Sequence, residues 1–194
     1  QAAREREPGW HNAPVPSFGD ANGRLLVVGL APGLRGANRT GRPFTGDYAG
    51  QLLYSTLHAY GFATGPISVS TDDDLVLRDC RISNAVKCLP PANKPMPAEI
   101  KTCNEYLRVE LALPNSLQIG LALGRIAHDA VLMAFGYKGN VAKFGHGARH
   151  ALPNGFVLYD SYHCSRYNTQ TKRLTPQMFH DVFASIRAEL DTLK

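Results

Sequence analysis

Four short, largely apolar runs, each followed by a longer segment, constrain this chain more than any other feature. Arg24 to Leu30, Arg81 to Val86, Leu117 to Leu123 and Phe156 to Tyr159 are too short for helices and read as strands covered on both faces. Asp47 is placed to start a helix through Tyr60 that Gly61 ends, Pro97 opens one reaching about Leu113, and a third runs from about Ile126 to Phe135. Thr175 and Pro176 then cap a last helix with Phe179, Val182, Phe183, Ile186, Leu190 and Leu193 on one stripe. This alternation predicts a three-layer α/β/α domain around a mainly parallel, four-stranded sheet. Residues 1–23, rich in Pro, Gly and Asn and without a period, read as an extended lead-in anchored by Trp10 and Phe18.

At 194 residues, 44% of them hydrophobic and 19% charged, the chain suits a single domain with one substantial core. No apolar run reaches the roughly 18 residues that span a bilayer, and no secretory signal opens the chain, so a soluble, cytoplasmic protein is expected. The sequence begins with Gln1, which leads us to expect a missing upstream segment. The net charge of +5 is modest but unevenly placed: Arg35, Arg39 and Arg42 form one cluster, Arg166, Lys172 and Arg173 another. Such clusters either make a solvated basic face or favour a polyanion. Cys80, Cys88, Cys103 and Cys164 include no C-x-x-C pair, and free thiols are the simplest reading.

Ligands of such sheets bind beyond the carboxyl ends of the strands. The loops expected there, 31–46, 87–96 and 161–174, are the ones rich in Gly, Pro, Asn or Arg. The glycines of the first would let backbone N–H groups approach a phosphate or a base, but neither a P-loop nor a dinucleotide fingerprint is present. Phe44, an aromatic in a polar, glycine-rich setting, could stack on a flat ligand or anchor the core.

These loops carry a resemblance. The stretch from Gly29 to Asp47 (GLAPGLRGANRTGRPFTGD) resembles the first motif of the uracil-DNA glycosylase superfamily, and its second half resembles family 5, the UDGb group. Ser83 to Pro95 (SNAVKCLPPANKP) is similar to the second motif of families 4 and 5, and His163 to Thr175 (HCSRYNTQTKRLT) to the last motif of family 5. The likeness extends from about Pro16 to Phe183.

The resemblance implies a base-excision repair enzyme that flips uracil out of double-stranded DNA and hydrolyses its N-glycosidic bond, with hypoxanthine, ethenocytosine and hydroxymethyluracil as further substrates. It implies a bacterial-type, nucleoid-associated protein, for which a monomer is the default. Gly29, Ala31, Phe44 and Asn84 would contact the base, Phe44 by stacking and Asn84 at the Watson–Crick edge. His163 would lie where negative charge develops. Arg166, Asn168 and Thr169 would sit on the loop entering the duplex, with Arg39, Arg42 and Arg173 as further DNA-binding cations. Where other members have Asp or Asn third in the first motif this chain has Ala31, leaving Asn38 as the nearest polar candidate to direct water and Asp47 behind it as a helix-start carboxylate. Families 4 and 5 carry a 4Fe-4S cluster: Cys88 and Cys103 match two ligands, and the other two would come from the missing N-terminal segment. Zinc on four cysteines is the alternative metal. A DNA-binding module of the same fold without catalysis remains the rival reading, and convergence of Asn84 and His163 on one site would count against it.

Overall fold

The computed structural model describes residues 5–112, 116–138 and 140–193. Residues 1–4 of the expected lead-in and Leu113, at the expected end of a helix, lie outside the described residues. In chain order the elements are β1 (Phe18–Gly19), β2 (Leu25–Gly29), α1 (Ala37–Thr40), α2 (Tyr48–Ala59), β3 (Cys80–Asn84), a 3-10 turn (Pro91–Asn93), α3 (Pro97–Ala112), β4 (Ile119–Leu123), α4 (Arg125–Ala134), β5 (Arg149–Ala151), β6 (Val157–Ser161), α5 (Arg166–Gln170) and α6 (Pro176–Thr192).

The sheet has six strands in the order β1-β3-β2-β4-β6-β5, not four. The four parallel strands at its centre are the four apolar runs, and the two additions are antiparallel edges. Their brevity explains why they were not anticipated. β1 has two residues and β5 only Arg-His-Ala, so neither carries a readable alternation, and short edges of this kind blunt strand-to-strand association.

Alternate side chains of each central strand serve opposite cores. Leu25 and Val27 face α2 and α6, packing with Leu53, Leu57, Phe179, Phe183 and Ile186. Leu26 and Val28 face α3 and α4, with Leu107, Leu111, Val131 and Leu132. Covering both faces requires apolar residues at consecutive positions, hence the nearly unbroken runs. Asp47 caps α2 by accepting from Gly50 N–H, and Thr175 caps α6 by accepting from Met178 N–H. Among the described residues no helix is long and apolar enough to cross a membrane.

From β2 the chain crosses by α2 to β3 on one side, and then by α3 to β4 on the other. Strand order therefore reverses at β2. The loops after β2, β3 and β6 meet at the carboxyl edge beside that reversal, where a crevice must open.

Candidate active site

The crevice is a pocket of about 450 Å³ whose lining includes Ala31, Gly33, Gly36, Phe44, Asp47, Asn84 and His163. The first loop supplies most of its wall. There α1 is a single turn that reverses the chain at Gly41, and α2 starts soon after at Asp47. Between them Phe44 takes a left-handed backbone conformation, φ 54°, which costs a residue with a side chain of order 1–3 kcal/mol. Tyr54, buried in α2, holds it by donating to the Pro43 carbonyl at 2.7 Å. The strain aims the Phe44 ring across the end of β2, where it lies alongside His163 with ring centroids 5.9 Å apart. Phe44 is thus both anchor and pocket wall.

Asn84 closes β3, and Ser161, two residues before His163, closes β6. Both site side chains hold buried polar atoms with no hydrogen-bond partner in the protein: Asn84 Oδ1 and His163 Nδ1. A buried polar atom left unpaired costs about 1–3 kcal/mol, so two at one pocket mark a place where a ligand completes the set. Burial pushes the His163 imidazole down to about 4, so it is neutral at physiological pH.

Gly29 sets the closeness of this arrangement. A methyl group there would overlap Asn84 Oδ1 and lie 2.5 Å from Phe44 Cζ. We expect Gly29→Ala to fold but to displace one or both side chains, cutting single-turnover activity at least tenfold while the melting temperature falls by only a few degrees. Unchanged kinetics would show that the pocket tolerates the displacement.

Asp47 lines the pocket as well as capping α2. Its Oδ1 accepts from Gly50 N–H at 2.9 Å, whereas Oδ2 lies over Gly33 and Gly36, two glycines that leave room for it. Burial raises its pKa, and the backbone N–H groups of Gly50 and Ala49 oppose the rise.

Two expected residues sit elsewhere. Asn38 is not part of the pocket wall; buried in α1, it donates from Nδ2 to Asn12 Oδ1 at 3.0 Å and ties the lead-in to the first loop. Arg42 does not face a duplex: it is buried under the Phe18 ring, pairs with Asp73 at 2.5 Å and donates to Ser68 and the Thr71 carbonyl. Arg39, Arg166 and Arg173 are exposed near the mouth, Arg166 over Tyr48 and Arg173 over Tyr162. Asn168 and Thr169 are half-buried on α5, Asn168 Nδ2 donating to the His163 carbonyl at 2.8 Å and Thr169 Oγ1 to Tyr48 at 3.3 Å. Beside Arg166, α5 also projects Tyr167, 71% exposed, which polar loop composition gave no reason to single out.

A mostly parallel sheet, a pocket at its carboxyl edge, and an unpaired amide oxygen and a neutral imidazole in that pocket's lining suit a flat, hydrogen-bonding heterocycle. Residues 16–187 match the uracil DNA glycosylase superfamily, to which the chain therefore belongs. Its relatives include proteins named type-5 uracil-DNA glycosylase. That of Thermus thermophilus is 49% identical over 176 residues, covering 91% of this chain and 80% of that protein. That of Mycobacterium bovis is 43% identical over 179 residues, covering 91% and 66%, and that of Pyrobaculum aerophilum 42% over 180 residues, covering 93% and 78%.

Proposed function

We propose that this chain is a monofunctional uracil-DNA glycosylase that acts on a base flipped from the duplex. The observation that carries the reading is the pair of unsatisfied atoms, Asn84 Oδ1 and His163 Nδ1, at one pocket walled by Phe44. Uracil stacks on Phe44 and offers its Watson–Crick edge to Asn84. As the C1′–N bond breaks, the base becomes an anion and the sugar a cation. A neutral imidazole N–H from His163 donates to the developing anion, a contribution of roughly 3 kcal/mol. The Asp47 carboxylate faces the cationic sugar and orients the water whose oxygen bonds to C1′. The water's proton leaves through Asp47 to solvent, and the base anion is reprotonated on release. Among the described residues no lysine lines the pocket, and Lys87, in the loop after β3, is held by Glu110, which supports hydrolysis without a lyase step.

Ala31 contributes only a methyl group to the wall, and 450 Å³ leaves room for a bicyclic base, which supports hypoxanthine and ethenocytosine as well as hydroxymethyluracil as substrates. Arg39, Arg166 and Arg173 would take the phosphates, and Tyr167 the space vacated by the flipped nucleotide. The test is incubation with end-labelled duplexes carrying U opposite G, hypoxanthine opposite T, or no lesion, followed by alkali. Strand breaks confined to lesions establish the activity; selective binding without breaks would make the chain a lesion-binding module instead.

Cys88 and Cys103 fit half of a four-thiolate site. Cys88 is exposed on the loop after β3, Cys103 is half-buried on α3, and partial burial, with Cys103 and Glu99 close by, holds the Cys88 thiol above its ordinary range, a setting that a cation would relieve. Cys80 and Cys164 are buried in the core and do not complete the set. In the 4Fe-4S reading two further ligands come from outside this sequence, and the cluster's role is to pin α3 to the second loop. Iron and acid-labile sulfide should co-purify with the natural protein and fall sharply in Cys88→Ser and Cys103→Ser; zinc without sulfide would replace the cluster with the alternative metal.

A further inference from the structure

Behind the active site lies a second cluster of titratable side chains that the reaction does not touch. Asp160, fully buried near the end of β6, accepts from His128 of α4 at 2.8 Å through Oδ1 and from His150 of β5 at 2.9 Å through Oδ2, which also accepts from Gly145 N–H at 3.3 Å. The other nitrogen of His128, Nε2, faces the Ala142 carbonyl at 3.2 Å. A carbonyl oxygen can only accept, and a carboxylate oxygen accepts as well, so each ring nitrogen of His128 faces an acceptor. The form that satisfies both is the imidazolium, with a proton on each nitrogen, paired with Asp160. The charged and titratable groups around it are Asp160 on β6, His150 on β5 and Asp129 on its own helix, while Phe144 packs edge-on against its ring. The ligand atoms of His128, His150 and Asp160 lie within 4.8 Å of one another and are joined through the two hydrogen bonds to Asp160.

The cluster lies at the root of the loop that delivers His163. Asp160 exchanges backbone hydrogen bonds with Gly147 and Ala148, Ser161 O accepts from Gly124 N–H at 2.8 Å, and Tyr162 N–H donates to His146 Nδ1 at 3.1 Å. Burial lowers the His146 pKa, which favours the neutral ring that can accept here. Every residue from 160 to 162 is thus fixed from behind by segment 142–150 or by the end of β4. His163 itself, with Nδ1 unpartnered, depends on that backbone and on Asn168 for its place.

We propose that His128, Asp160 and His150 are positioning residues for His163, the His128–Asp160 ion pair locking segment 142–150 to the end of β6 so that the catalytic imidazole is held in register with Asn84. The inference rests on the glycosylase reading of the pocket, and its first test is independent of activity. In ¹⁵N-resolved histidine spectra of the natural protein, His128 should show both ring nitrogens protonated at neutral pH, and Asp160→Asn should abolish this. In Asp160→Asn the single-turnover rate on a U·G duplex should fall roughly 10- to 100-fold, as expected for sub-ångström to ångström misplacement, with affinity for abasic product DNA unchanged. His128→Lys, which retains a cation, should recover part of the loss that His128→Gln shows. A neutral His128 in the spectra overturns the proposal, as does an Asp160→Asn enzyme that is folded and turns over at the wild-type rate, or one whose loss lies wholly in DNA affinity. Absence of lesion cleavage by the wild type would instead remove the glycosylase reading and leave the spectroscopic result standing.

Discussion

His163→Ala should lower the single-turnover rate on a U·G duplex by roughly 10²- to 10³-fold, the loss of one donor aimed at a developing oxyanion, while DNA binding holds. The same substitution should leave thermal stability nearly unchanged, because two effects oppose: contact with the Phe44 ring is lost, and an unpaired buried nitrogen is removed. The acid response separates this residue from a surface histidine. His163 is held at about 4 in the folded protein against an ordinary value of 6.5. Between those values the unfolded chain takes up a proton that the native site refuses, so stability is full above about 6.5 and declines as pH falls toward 4. His163→Ala removes that sensitivity and should shift the acid unfolding midpoint downward. The wild-type rate should show no inflection from this residue near 6.5, since the neutral donor persists to about 4. An inflection there that disappears in His163→Ala would mean the imidazolium takes part and would overturn the neutral-donor mechanism.

What could be read from the sequence follows the range over which each signal acts. The four central strands were legible because burial on both faces writes itself into consecutive residues, and Asp47, Pro97 and Thr175 announced helix starts through local hydrogen-bonding chemistry. The edge strands left no such trace. Among site residues, Asn84 and His163 stand at strand ends, where topology alone brings them to the crevice. Arg42 looked like its neighbours because its partners Ser68, Thr71 and Asp73 are about thirty residues away and nothing local announces them. Asn38 occupies a polar motif, but the single turn of α1 rotates it toward Asn12 and away from the pocket. The His128–Asp160–His150 cluster is gathered from three elements and has no motif spacing. Side-chain direction within irregular loops and pairing across long separations are tertiary properties, and they account for most of what periodicity missed.

Asp47 tests the division between scaffold and chemistry most sharply, because in the proposed mechanism one carboxylate serves both. Asp47→Asn keeps an oxygen to accept from Gly50 N–H, and Asn caps helices as well as Asp does, so the melting temperature should change little. The charge facing the sugar is gone, and the single-turnover rate should fall roughly 10²-fold or more. Asp47→Ala loses both functions and should add a destabilisation of about 1 kcal/mol to the same kinetic defect. The pH dependence supplies an independent check. Burial raises the Asp47 pKa above its ordinary 3.8, so the native state holds this proton more tightly than the unfolded chain. Stability therefore declines as pH rises through the window between the ordinary and the raised value, and ionising this carboxylate is a cost borne by the fold. Activity should run the other way, falling as pH drops through the raised value, and that acid limb should be absent from the residual activity of Asp47→Asn. If Asp47→Asn instead retains the wild-type rate and only Asp47→Ala is impaired, Asp47 is a helix cap alone, and the water must be oriented by backbone groups around Ala31 and Gly33.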